Sequence, residues 1–209
     1  MYLPEDEAVD VPPIWPAFGD LMACLFGVFV LFFVWTVSID ATLTRDLVQE
    51  RATRAADSAR LSALEHALAG PLASGRITLV DGHIGIRGSV LFDLNSAELR
   101  EEGAQVLRDI APPLRSYLAE RSELVMVSGF TDDRVIPGGI GSYHDNWELS
   151  AQRALTVTRA LEGAGIPHEW LFAAGFADNH PIAPNQSSED RAKNRRVEIA
   201  PVPRAAAVR

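Results

Sequence analysis

Asp20 stands immediately before nineteen consecutive uncharged residues, Leu21 to Ile39, rich in Leu, Val and Phe. It lies five positions after Trp15, so about 7–8 Å beyond that ring on a regular helix. A carboxylate at such a depth in a bilayer costs about 3 kcal/mol, and residues of this kind usually face a bundle interior or an ion path. The chemistry open to it is reversible uptake of H+ or Na+, which neutralises the acid and then restores a charge that must be paired or solvated. That alternation can drive relative movement of helices. One helix cannot enclose a carboxylate, so such a route requires further helices from a partner. An alternative stands beside it: an aspartate in the first turns of a helix also complements the macrodipole and can reach headgroup water.

Other chemistries find no support in the residue pattern. The single cysteine, Cys24, excludes an internal disulfide framework and a cysteine-based zinc site. The five histidines, His66, His83, His144, His168 and His180, show no metal-ligand spacing, and no nucleophile–base arrangement is visible. The expectation is therefore a protein that is not an enzyme and carries no cofactor, any H+ or Na+ being cargo. A net charge of −9 over 209 residues supplies no basic field for phosphates, so nucleic acid is not expected as a partner. Lys193 is the only lysine beside eighteen arginines, a bias that a GC-rich genome accounts for.

The elements that would position Asp20 follow from the distribution of apolar residues. Mean hydropathy is +0.04, high for a chain that is 22% charged, so the apolar residues must be concentrated. Residues 14–39 have the length and composition of a transmembrane helix, after an N-terminal tail, 1–13. Pro12, Pro13 and Pro16 fit before or within its first turn, where a missing N–H is harmless. Trp15 and Trp35 lie twenty residues apart, about 30 Å on a helix, and read as two interfacial belts. Met1–Gly19 contains no Lys or Arg, which argues for a retained span over a cleaved signal peptide.

Residues 40–71 read as a helical connector ended by Gly70-Pro71. Within it Leu61, Leu64 and Leu68 form a stripe suited to a dimer seam or to packing on the next domain. Arg45, Arg51 and Arg54 follow the span closely, and taken alone they would hold the C-terminal bulk in the cytoplasm.

Beyond the connector, Ile77–Val80 and Ile84–Ile86 flank Asp81-Gly82 as a hairpin. Val90–Leu94 extends the second strand or opens a loop, and Glu98–Leu118 is a helix expected to break or kink at Pro112-Pro113. Leu124–Phe130 is a buried strand, Asp133–Asp145 a Gly-rich loop, and Asn146 or Trp147 to Glu162 a periodic helix. Phe172–Phe176 and Val197–Val202 complete the strands. The order predicts an α+β fold, a sandwich of helices on a mixed sheet over 76–202, followed by a tail, 203–209.

Four ordered motifs carry a resemblance: Val90-Leu91-Phe92-Asp93, Ser128-Gly129-Phe130-Thr131-Asp132, Asn146-Trp147-Glu148-Leu149-Ser150-Ala151-Gln152-Arg153-Ala154, and Asn194-Arg195-Arg196-Val197-Glu198-Ile199. The series resembles the OmpA-like peptidoglycan-binding domain. With Trp15-Pro16-Ala17-Phe18-Gly19-Asp20-Leu21-Met22 opening the span, the chain is similar to MotB-type subunits of ion-driven motors.

The resemblance implies a ligand, the diaminopimelate of a peptidoglycan stem, whose ammonium and carboxylate sit on one carbon. Asp132 would take the ammonium and Arg153 the carboxylate, in a fork that lysine does not reproduce. Asn146 and Leu149 would shape the pocket, Asn146 also capping the helix, with Thr131 and Arg196 as further contacts. A purely structural Asp132–Arg153 ion pair is the competing reading. Phe130 stands where the family often has histidine.

The resemblance further implies an inner-membrane protein with its N-terminus in the cytoplasm and its C-terminal domain in the periplasm, where the wall lies. It implies a dimer working with a MotA-like multi-span subunit, five copies of it, and a plug or dimerising neck within 40–71. The acidic tail (Glu5, Asp6, Glu7, Asp10) and short connector resemble the ZorB subunit of Zorya anti-phage systems more than a flagellar stator.

Overall fold

A computed structural model describes residues 14–121, 123–136 and 143–204. The tail 1–13, the centre of the Gly-rich loop at 137–142 and the last residues, 205–209, lie outside the described set. The chain divides into two compact units, Met1–Ala56 and Asp57–Arg209.

The first unit is helical. Helix α1 covers Ile14–Ala67, and its residues up to Ala56 belong to this unit. Within it, Phe18–Ile39 has a mean hydropathy of 2.4 with none of that stretch buried. Phe18, Leu21, Leu25, Phe29, Phe32 and Trp35 are all exposed, so the helix is apolar around its whole circumference, as a lipid-facing helix is. Aromatic side chains one turn apart touch each other, Phe29 stacked with Phe33 at 6.4 Å and Phe32 edge-to-face with Trp35 at 6.2 Å. Thr36 donates its hydroxyl proton to the Phe32 carbonyl, 2.8 Å away, and so hides a polar group. Past the span the surface becomes polar, with an i,i+4 ion pair between Glu50 and Arg54.

The second unit is a two-layer α+β domain. The last turns of α1 and the residue after them belong to it: Leu64 and Leu68 are 2% and 0% exposed in its core, whereas Leu61 remains 40% exposed. Of the two roles open to the leucine stripe, packing on the domain is therefore the one Leu64 and Leu68 fill. Arg60 adds an ion pair with Glu123 at 2.8 Å and donates to the Pro201 carbonyl at 2.6 Å.

A short α2, Ala69–Ala73, leads into β1, Ile77–Val80, and β2, His83–Arg87. Their turn has Asp81 at φ 51° and Gly82 at φ 81°, the double left-handed geometry of a type I′ hairpin. Val90–Leu94 does not extend β2: Gly88–Leu91 forms a helical turn, α3, and Phe92 makes an isolated bridge to Leu99. Helix α4, Glu101–Ala119, runs through Pro112 and Pro113 as one element, contrary to the expected break. Its buried residues, among them Ile110, Ala111 and Leu114, face the core. Pro112 is exposed and Pro113 half-buried, so both prolines sit toward the solvent side of the helix and not in its core-facing stripe.

Strand β3, Glu123–Gly129, is followed by helix α5, Asn146–Gly163, strand β4, Leu171–Gly175, a short α6, Ser188–Asn194, and β5, Arg196–Pro203. The sheet order is β1-β2-β5-β3-β4. Only β3 and β4 are parallel, so the sheet is mixed as expected. Ile84, Ile86, Val125, Val127, Val197 and Ile199 form a core with Leu107, Ile110, Leu114, Val157 and Leu161 of the helices. Each such side chain contributes about 1.5–3 kcal/mol on burial.

Two glycines set how closely α5 approaches the sheet. A Cβ at Gly129 would collide with the Ser150 carbonyl, and one at Gly175 would stand 2.9 Å from the Ala151 Cβ. Their absence of side chains lets the first turns of α5 lie directly on the C-terminal ends of β3 and β4.

Candidate functional site: a cationic cavity at the end of the sheet

The chain leaves β3 as Phe130-Thr131-Asp132, fixed by bonds from Phe130 N to Arg196 O (3.0 Å) and from Thr131 N to Ala177 O (2.8 Å). Across from it α5 begins. Asp145, not Asn146, is the N-cap: its carboxylate accepts from Glu148 N at 2.8 Å. The Glu148 carboxylate in turn accepts from His144 N at 2.6 Å, so Asp145 and Glu148 form a reciprocal pair that fixes the start of the helix. That leaves Asn146 free for another task. Its Nδ2 donates to the carbonyls of Asp132 (3.2 Å) and Arg134 (3.0 Å), tying the segment after β3 to the start of the helix.

One turn on, Leu149 packs with Ala97 and Ile136 as an apolar floor. One turn further, Arg153 is 4% exposed. Its Nε donates to the Ser96 carbonyl at 2.9 Å, and its guanidinium stands 5.3 Å from the centre of the Phe92 ring.

Arg195 enters from the third side. Asn194, fully buried, accepts from Ile182 N and Ala183 N and donates to Ala183 O and Asn185 Oδ1, so it locks the preceding loop. Arg195 then reaches Asp132, Nη1 to Oδ2, at 2.5 Å. The other oxygen, Oδ1, receives, among the described residues, only the Arg134 N–H, at 3.4 Å.

A cavity of about 220 Å³ opens among these groups, lined by Thr131, Asp132, Arg134, Asn146, Leu149, Arg153 and Arg195 with Leu94, Asn95, Val135 and Ile136. Five of the residues expected from the sequence, Asp132, Asn146, Leu149, Arg153 and Thr131, thus meet in one place. The hydroxyl of Thr131 is buried there without a hydrogen-bond partner among the described residues.

The structural ion pair anticipated as an alternative, Asp132 with Arg153, is not formed, since Asp132 is engaged by Arg195. Arg153 has no carboxylate partner among the described residues. Burial, and next the neighbouring Arg195 guanidinium, lower its pKa to about 10, while Tyr143 and Asp132 act the other way. A buried cation facing a second cation, with one carboxylate between two guanidiniums, is a site short of negative charge.

Arg196, the remaining expected contact, lies elsewhere. Its guanidinium covers the Phe130 ring at 3.8 Å and its Nε bonds Glu198 at 2.6 Å. Phe130 itself stacks on Phe176 at 5.1 Å and does not line the cavity. The reason is strand alternation. Val197 and Ile199 face the helices, so Arg196 and Glu198 face away from them, and Arg195 shares the parity of Val197. That parity is legible in Arg195-Arg196-Val197-Glu198-Ile199 and would have selected Arg195 over Arg196. Arg134 was also missed; it lies in the loop after β3, where no periodicity applies.

Asp20 is described by itself, in the first unit: its side chain is exposed on α1, two residues inside the start of the Phe18–Ile39 stretch. Among the described residues no cluster of His, Cys, Asp or Glu suited to a metal ion occurs.

A five-stranded mixed sheet under two helices, with this cavity at the end of β3, defines a domain class that comparison with known proteins identifies. The chain belongs to the OmpA family, whose model matches residues 91–195. It is 30% identical over 145 residues to Motility protein B of Bacillus subtilis (strain 168), covering 69% of this chain and 52% of that protein. Peptidoglycan-binding protein ArfA of Mycobacterium tuberculosis (strain ATCC 25618 / H37Rv) is 34% identical over 132 residues, 62% of this chain and 38% of ArfA. The chain thus spans about half or less of the length of these two relatives. Among solved structures, a MotB-like protein from Desulfovibrio vulgaris superposes with a TM-score of 0.62 at 32% identity, covering 75% of this chain and 99% of that one.

Proposed function

We propose that this chain is a MotB-like subunit of an ion-driven inner-membrane motor, in which Asp20 carries the ion and the OmpA-family domain grips the cell wall. The observation that carries the wall-binding half is Arg153, buried without a carboxylate partner beside an Asp132 that keeps one oxygen nearly free. A diaminopimelate head group supplies what is missing: its carboxylate answers the guanidinium and its ammonium the free oxygen of Asp132. The likeness to ArfA, a peptidoglycan-binding protein by name, supports the cell wall as the partner, and the likeness to Motility protein B supports the motor class. Peptidoglycan lies outside the cytoplasm, so this reading puts the N-terminus inside. It overrides Arg45, Arg51 and Arg54, because long domains translocate largely regardless of flanking charge.

The motor half rests on Asp20 at the edge of an apolar span. A multi-span MotA-like partner, as a pentamer around a dimer of this chain, would enclose the carboxylate. The acidic Glu5, Asp6, Glu7 and Asp10 and the short connector favour a Zorya-type anti-phage motor over a flagellar stator. A second reading is favoured by Asp20 being exposed so near the start of the span: a passive tether from membrane to wall. Ion flux through the chain co-expressed with its multi-span partner separates the two. The motor reading expects Asp20→Asn to abolish flux while leaving membrane insertion intact; flux equal to wild type would leave the tether.

A further inference from the structure

The Arg153–Arg195 pair does not only border the cavity already described. On its other side lies a second cavity of about 180 Å³, whose lining includes Gly88, Ser89, Phe92 and Asp93 and shares with the first only Leu94 and the two arginines. The two guanidiniums therefore stand at the divide between two spaces.

The charges on the two sides do not balance. The first cavity is lined by Arg134, Arg153 and Arg195 against one carboxylate, Asp132. An amino-acid head group adds one ammonium and one carboxylate, which is no net charge, so the excess of cation persists after it binds. In the second cavity the one acid, Asp93, is 80% exposed on its side chain and directed to Arg100 at 3.7 Å. It pairs with neither arginine, so Asp132, on the other side, is the one carboxylate that engages Arg195 among the described residues, and Arg153 has none. The wall of this cavity is also tightly built. Gly88 N donates to the Arg195 carbonyl at 2.8 Å, and a Cβ at Gly88 would stand 2.8 Å from that same oxygen. That contact holds α3 against the backbone of Arg195.

Resting on the wall-binding reading above, we propose that the second cavity is an anion subsite and that Arg195 is its binding residue. The ligand is then a stem peptide with a second free carboxylate, not a lone diaminopimelate head group. Arg195 bridges the two subsites: Nη1 keeps Asp132 in place while the rest of the guanidinium faces the second carboxylate, and Arg153 takes the first. In a stem tripeptide that second carboxylate has two sources, the α-carboxylate of the γ-linked glutamate and the C-terminal carboxylate.

The test is calorimetric titration of the full chain in detergent with meso-diaminopimelate, with L-Ala-γ-D-Glu-meso-diaminopimelate, and with that tripeptide amidated at one or the other carboxylate. One amide is expected to bind about tenfold more weakly than the parent tripeptide, the scale of one charge-assisted pair, and which amide it is names the source. Ser89→Trp, which fills the exposed mouth of the second cavity, is expected to erase that difference and leave the affinity for meso-diaminopimelate within about twofold. Arg195→Lys, which keeps a charge beside Asp132, is expected to weaken the discrimination only in part. Equal binding of the parent and both amides would overturn the second subsite while leaving the first intact. Absence of binding by meso-diaminopimelate and every tripeptide would overturn the wall-binding reading itself.

Discussion

Arg195 Nη1 stands 2.5 Å from Asp132 Oδ2. Asp132 is held by Arg195 and not by Arg153, whose Nε donates instead to the Ser96 carbonyl. Asp132 and Arg153 therefore do not neutralise each other.

A buried guanidinium with no carboxylate partner among the described residues carries a stability cost that can be measured. The folded pKa of Arg153, lowered to about 10, lies below that of an arginine in the unfolded chain. The unfolded chain therefore binds the proton more tightly, and the penalty is fully present below about pH 10 and relieved as pH rises above it. Arg153→Met should stabilise the free protein at pH 7 by about 1–2 kcal/mol, the scale on which apolar replacement of buried charge stabilises, while wall binding falls. Thermal melts at pH 7 and pH 10.5 check this: the gain should shrink at the higher pH. A large destabilisation at pH 7 would show that Arg153 serves the fold instead.

Close approach of α5 to β3 is the second requirement of the site. Gly129→Ala puts a methyl against the Ser150 carbonyl, so α5 must shift and carry Arg153 with it. We expect a loss of about 3 kcal/mol or more, on the scale of severe overpacking, together with loss of wall binding. Gly163→Ala, with nothing within 4 Å, should stabilise by up to about 1 kcal/mol from helix propensity. Urea denaturation of both variants measures the contrast.

The end of α1 offers a third test. Leu68→Ala should cost about 2–5 kcal/mol, as for a fully buried leucine. Leu61→Ala, at a position 40% exposed, should cost under about 1 kcal/mol. Equal losses at the two positions, measured by thermal melting, would contradict the assignment of this segment to the domain core.

What could be read from the sequence was what local chemistry decides. Asp81-Gly82 specifies its own turn, the 3.6-residue period of α5 specifies a helix, and the apolar run after Asp20 specifies a span. The alternating strands also gave the mixed sheet. Where the reading failed, tertiary context decided. Gly88–Leu91 coils into a helical turn under Arg195, and Pro112-Pro113 is tolerated because that side of α4 meets solvent. The short α6, Ser188–Asn194, has too few residues for a periodic signal. The exchange of Arg196 for Arg195 was avoidable, since strand parity was already present in Val197 and Ile199. Asp145 as the cap also follows from its carboxylate preceding Glu148 by three residues.

The most direct measurement of the central claim is co-sedimentation of the full-length chain in detergent with purified diaminopimelate-type peptidoglycan, comparing wild type with Arg153→Ala and Arg153→Lys. The account predicts that wild type pellets with the wall, that Arg153→Ala loses at least about tenfold in affinity, and that Arg153→Lys does not restore it, because a point charge lacks the fork. Wild-type protein that stays in the supernatant, or an Arg153→Ala variant that pellets as well as wild type, would contradict it.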